Sequence, residues 1–270
     1  MWTKILSIIA ISSSVFAGFG PGFPGGIDID HDPRWKDPYI VQRLNVSSCI
    51  IELSDEKILL NKKKFSQEEL FFLVSQTEKG REVVEKLIPL LESNAVTIKH
   101  LSYSQRRQRG LKPQTAALYD FTETPAAIYV DFDDEIGLVS HFFVHEASHA
   151  LDPLIPFEYE QDLAEYERYR AIYNSLGLDI EPMKELTDEE LELISSAYSR
   201  KQKLSQKHAY RAERYAFDEQ GIHTREVLAS ENCYPSYIEE HKEKNGLKLT
   251  SETPDSHIFN SYGIDPSNIE

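Results

Sequence analysis

Apolar residues recur at helical spacing in two stretches early in this chain. Leu70, Leu73 and Val74 follow Ser66 and the acidic pair Glu68 and Glu69, which predicts a helix capped by the serine. Lys79-Gly80 reads as a turn, and the helical pattern resumes over residues 82–92. After Asn94 the pattern changes. Val96, Ile98 and Leu101 with their β-branched neighbours predict a strand, and residues 116–121 and 127–132 predict two more. The Thr-Glu-Thr-Pro link at 122–125 suggests a hairpin or tight meander between those two. Beyond Asp134 the helical period returns, over 135–151, 158–176 and 188–220, the last with room for a break. These elements predict an α+β fold, with a small antiparallel or mixed sheet, a helix directly after it, and a mainly helical C-terminal half.

The two ends lack such patterns. Lys4, the apolar run from Ile5 to Ile11 and Val15-Phe16-Ala17 have the form of a signal peptide cleaved after Ala17, so residues 1–17 are expected to be removed on export. The apolar run is too short to span a bilayer, and no later stretch is long enough. Residues 18–38, opening with Gly-Phe-Gly-Pro-Gly-Phe-Pro-Gly-Gly, are expected to be a flexible leader. The Asp and His residues of 27–32 are assigned no site. A single domain over 39–243 and a loose polar tail over 244–270 complete the expected organisation. Cys49 and Cys233 would pair in an oxidising compartment or stay as two separate thiols.

Charge narrows the partners. The chain has 270 residues and a formal charge of −16, and its basic runs at 62–64 and 106–109 are short. Such a surface disfavours nucleic acid and anionic membranes, so neither nucleic-acid binding nor membrane insertion is expected.

The chemistry sits on the helix expected at 135–151. His145-Glu146-Ala147-Ser148-His149 places two imidazoles four positions apart, slightly more than one turn, so both leave the helix on one side and can grip one metal ion. Glu146 lies on the adjacent edge, in reach of a water at that ion and outside the ligand set. Ile136, Leu138, Val139, Phe142, Phe143 and Val144 make the rest of the helix apolar enough to be held in a core.

This five-residue motif, behind a pair of strands, resembles the zincin metallopeptidases. The resemblance covers under half of the chain and implies a zincin-like fold, a bound Zn2+, Glu146 as general base and a peptide or protein as substrate. Asp152 and Ile155 stand where metzincins have glycine and a third histidine, so that branch does not fit. Gluzincins take a glutamate from a later helix, in a Glu-x-x-Ala pattern matched by Glu213-Arg214-Tyr215-Ala216. Glu213 follows His149 by sixty-four positions, a long spacing that resembles the anthrax lethal factor type. Glu165 and Glu167, sixteen and eighteen positions after His149, are rivals at the short spacing but lack the alanine. The resemblance therefore implies His145, His149 and Glu213 as ligands. It also calls for an oxyanion donor, for which Tyr210 is the candidate, with His208 and His223 behind it. Asp152 would either orient a ligand histidine or help end the helix before Pro153. Hydrolysis of cell-wall peptide or another amide, and a non-catalytic exported binding protein with a chance motif, are the alternatives.

Overall fold

The computed structural model describes residues 50–53, 56–59, 62–113, 115–182, 184–229 and 253–269. The expected signal peptide and leader, and both cysteines, lie outside the described residues. The described residues divide into two compact units, those within 50–151 and 216–253 and those within 152–215 and 254–269. Among the described residues no helix is long and apolar enough to cross a membrane.

The first unit starts with β1 (Ile50–Leu53) and β2 (Glu56–Leu59), an antiparallel pair. Helix α1 (Gln67–Val74) follows, and its capping box is built as expected, Ser66 accepting from the Glu69 N–H while the Glu69 carboxylate accepts from the Ser66 N–H. Helix α2 (Glu78–Glu92) contains Gly80 near its start, where a turn had been expected. Glycine here serves close approach: a Cβ would lie 1.9 Å from the Val74 carbonyl oxygen, so the two helices meet at a spacing no other residue permits. Thr77 caps α2, its Oγ1 accepting from the Gly80 N–H at 3.0 Å.

Strands β3 (Val96–His100), β4 (Ala117–Asp120) and β5 (Ala126–Val130) form a mixed sheet in the order β3-β5-β4, with β3 parallel and β4 antiparallel to the central strand. A short helix, α3 (Tyr103–Gln108), lies between β3 and β4. Strand alternation sorts the sheet's residues onto two faces. Ile128 and Val130 join the main core, while Ala127, Tyr129 and Leu118 join a smaller one with Leu101 and Leu111.

Helix α4 (Ile136–Leu151) lies on the first of these faces, packed by β4, β5, α1 and α2. Ile136, Val139, Phe143, Val144 and Ala147 are all 0% exposed. Burying a side chain such as Phe143 contributes about 2 kcal/mol, so this apolar stripe holds the polar residues of the same helix in the interior. Pro153 is two residues beyond its end.

The second unit contains α5 (Ile155–Ser175), most of α6 (Asp188–Ala229) and α7 (Asp255–Tyr262). Helix α6 begins with a capping box between Thr187 and Glu190 and carries acids through its first turn, where the helix dipole favours them. It runs 42 residues without the break allowed by the sequence. Helices α5 and α6 are joined mainly through charge: Asp162 meets His208 at 2.9 Å, Glu165 meets Arg200 at 2.7 Å, and Glu158 and Asp152 share Arg211. Within the 244–270 stretch the described residues include α7. Helix α7 ends at Gly263, whose φ of 62° is the left-handed cap that glycine favours, and Phe259 stacks on Tyr210 with ring centres 5.3 Å apart.

Candidate metal centre

Helix geometry brings His145 and His149 to the same side of α4, with ring centres 4.9 Å apart and planes at 85°. Glu213 joins them from α6. One ligand atom from each of the three lies within 4.8 Å of the other two, the arrangement of a group that could hold a metal ion. Helix α6 is continuous through the division between the units, and Glu213 precedes by three residues the point, Ala216, at which the helix enters the first unit. Ala216 is itself 0% exposed, so the small residue of Glu-x-x-Ala is placed in close packing.

His145 and His149 are 3% exposed and Glu213 is 0% exposed. Phe217, one turn after Glu213, meets the His145 ring edge-on at 4.5 Å and helps keep it in place. Two imidazole nitrogens and one carboxylate are a donor set suited to zinc, and the negative charge of the carboxylate offsets part of the charge of a divalent ion in so dry a place. The residues present therefore fit that metal.

Glu146 is 2% exposed and its Oε2 accepts the Tyr119 N–H at 2.8 Å. Tyr119 belongs to β4, an edge strand, so this amide points away from β5 and toward α4. The sheet thus fixes the orientation of the carboxylate between the two histidines in sequence. No signal in the sequence identifies that amide, because a backbone donor carries no side-chain mark.

A second buried polar layer accompanies the first on α4. His141, one turn before His145, and His223 of α6 are both 0% exposed, with ring centres 5.1 Å apart. His223 Nδ1 lies 2.7 Å from Thr77 Oγ1, the same hydroxyl that donates to the Val74 carbonyl and caps α2. The hydroxyl and the ring nitrogen share one hydrogen bond whose direction follows the imidazole tautomer. His141 Nδ1 likewise lies 3.3 Å from Thr224 Oγ1, a hydroxyl within 3.0 Å of the Gln220 carbonyl. Burial pushes the His223 pKa down to about 4, and burial together with the neighbouring His223 holds that of His141 well below the usual histidine value. Both rings are neutral at pH 7. The spacing His141, His145, His149 was the available clue to this layer.

The remaining residues singled out by the sequence fall elsewhere. Glu165, 5% exposed, is held by Arg200 and Arg168, and Glu167 is exposed, so neither rival joins the two histidines. Asp152 accepts the Leu154 N–H at 3.0 Å and an Arg211 N–H at 2.6 Å, which is the helix-ending one of its two expected roles. His208 pairs with Asp162 on α5. Tyr210 lies one turn before Glu213 with its ring on Phe259. Compared with family models, with curated proteins and with solved structures, the chain matches none.

Proposed function

We propose that this chain is an exported zinc metallohydrolase that cleaves peptide bonds, with His145, His149 and Glu213 as ligands and Glu146 as general base. The observation that carries the reading is the buried His145-His149-Glu213 group with the Glu146 carboxylate held beside it on the same helix. Export rests on the N-terminal Lys4, Ile5 to Ile11 and Ala17 pattern. Zinc, when bound by such a set, lowers the pKa of a water toward about 7 and polarises a carbonyl.

The chain's own residues do the rest. Glu146 takes a proton from the water as its oxygen bonds to the amide carbon, and returns that proton to the nitrogen as the C–N bond breaks. The Tyr119 amide keeps Glu146 in the required rotamer, which removes an orientational cost from the step. Phe217 and the core side chains around α4 limit water at the site, strengthening every charge interaction there. Tyr210 is the proposed donor to the developing oxyanion.

The test compares zinc content and hydrolysis of an unfolded protein substrate in the parent, Glu146→Gln and His149→Ala. Glu146→Gln is expected to keep one zinc per chain and lose hydrolysis by about a hundredfold or more, whereas His149→Ala loses both. Hydrolysis near the parental rate in Glu146→Gln would remove the mechanism. A parent without zinc after expression in zinc-replete medium would remove the metal.

A further inference from the structure

Within the second unit one stretch of α6 carries charge of the opposite sign to the chain as a whole. From Leu193 to Ala212 there is no Asp or Glu, while Arg200, Lys201, Lys203, Lys207 and Arg211 all fall in that interval of a protein with net charge −16. Lys201 is turned into a cluster of tyrosines, its Nζ 5.4–5.6 Å from the ring centres of Tyr166, Tyr169 and Tyr198. Arg211 is taken by Asp152 and Glu158. The other three cations do something different: together they border a cavity of about 520 Å³.

That cavity has two walls. One is α6, where Ser196, Ser199, Lys203 and Lys207 recur at three- and four-residue intervals and so share a face. The other is the C-terminal segment at Asn268 and Ile269, held to α6 by Gln206, whose Oε1 accepts from Asn268 Nδ2 at 2.6 Å and from the Asp265 N–H at 3.2 Å. Leu204 and Ile269 supply an apolar floor between the cations. Among the described residues no carboxylate lines it. Arg200 forms an ion pair through its Nε with Glu165 at 2.7 Å, and its side chain remains 60% exposed. Among the described residues Lys203 and Lys207 make no ion pair. The acid whose charge Lys203 touches is Asp265, and the Oδ1 of that residue is taken up by the N–H and hydroxyl of Ser267.

We infer that this groove binds a small amphipathic organic anion, its carboxylate or phosphate on Arg200, Lys203 and Lys207 and its apolar body over Leu204 and Ile269. The groove is open, and among the described residues its lining combines an apolar surface with a few charged groups of one sign. A bare anion would leave the apolar floor wet. A neutral apolar molecule would gain nothing from three cations gathered against the sign of the rest of the protein. The serine hydroxyls and Asn268 offer further hydrogen bonds to a head group. The groove lies wholly within the second unit and does not depend on the proposed hydrolytic activity.

Calorimetric titration of the full mature chain at low salt tests this with octanoate and octyl phosphate as probes. Inorganic phosphate and octylammonium serve as controls. Octanoate or octyl phosphate is expected to bind, whichever is tighter naming the head group, with inorganic phosphate weaker because it lacks the apolar body. The exposed double variant Lys203→Glu/Lys207→Glu should weaken binding roughly tenfold, with its melting curve beside the parent's separating loss of the site from loss of the fold. Lys203→Gln/Lys207→Gln serves as the milder second variant. Octylammonium binding as tightly as octanoate, unchanged affinity in both charge variants, or no saturable binding up to about 10 mM would each overturn the assignment.

Discussion

Replacing His223 with asparagine removes a titrating group from the buried layer while leaving a side-chain amide that can donate to or accept from the Thr77 hydroxyl. In the folded chain burial depresses the His223 pKa from 6.5 to about 4. At pH 7 both folded and unfolded forms are neutral at this residue, and it costs nothing. As pH falls below 6.5 the unfolded chain takes up a proton that the folded chain refuses, so stability is lost progressively until the folded ring titrates near pH 4. The interval between the two pKa values corresponds to about 3 kcal/mol, an order-of-magnitude figure for one fully buried group. Urea unfolding of metal-free protein at several pH values between 7 and 4 measures it. The parent is expected to lose at least about 3 kcal/mol more than His223→Asn across that window, since removing His223 also relieves part of the depression of His141. Parallel stability curves for the two proteins would refute the assignment of a buried His223 that stays neutral down to about pH 4. So would greater acid sensitivity in the variant.

Glu213→Ala should abolish zinc binding while Glu165→Ala leaves one zinc per chain, as read by elemental analysis; the reverse result would transfer the ligand role to α5. Gly80→Ala should destabilise the first unit by about 3 kcal/mol or prevent its folding, because the added methyl group meets the Val74 backbone oxygen rather than a movable side chain; thermal melting checks it. Arg211→Met should cost roughly 3 kcal/mol in urea unfolding by leaving Asp152 and Glu158 without their shared cation, and less than about 1 kcal/mol would mean that the pairing is solvent-screened.

Legibility in the sequence followed the range of the interactions. The capping box at Ser66, the strands around Ile128 and the helix bearing His145 and His149 are set by residues within a few positions of one another, and each is found where local pattern places it. The pairing of three strands as a mixed sheet depends on β3 reaching β5 across α3 and β4, so antiparallel and mixed arrangements looked alike in one dimension. Gly80 was misread for a related reason: glycine marks either a turn or a close approach, and only the position of Val74 distinguishes them. The helix near the C-terminus was missed because Asp255 to Tyr262 is short and polar, and depends on partners such as Tyr210 and Gln206 far earlier in the chain. Glu213 was legible through the small residue three places on. Its partner layer, His223 with Thr77, joins positions 146 apart and left only the bare fact of another histidine.

The unbroken course of α6 makes it a measuring rod as much as a wall. Glu213 and His223 are ten residues apart on one helix, and each rise of one residue carries a rotation of about 100°. An insertion of a single residue between them would swing the carboxylate to another face of the helix relative to the imidazole, even with every side chain retained. The connection between α5 and α6 imposes no such phase, since lengthening a loop costs only fractions of a kcal/mol. Length differences among homologous sequences should therefore gather between Leu176 and Thr187, and the interval from Glu213 to His223 should stay constant to the residue.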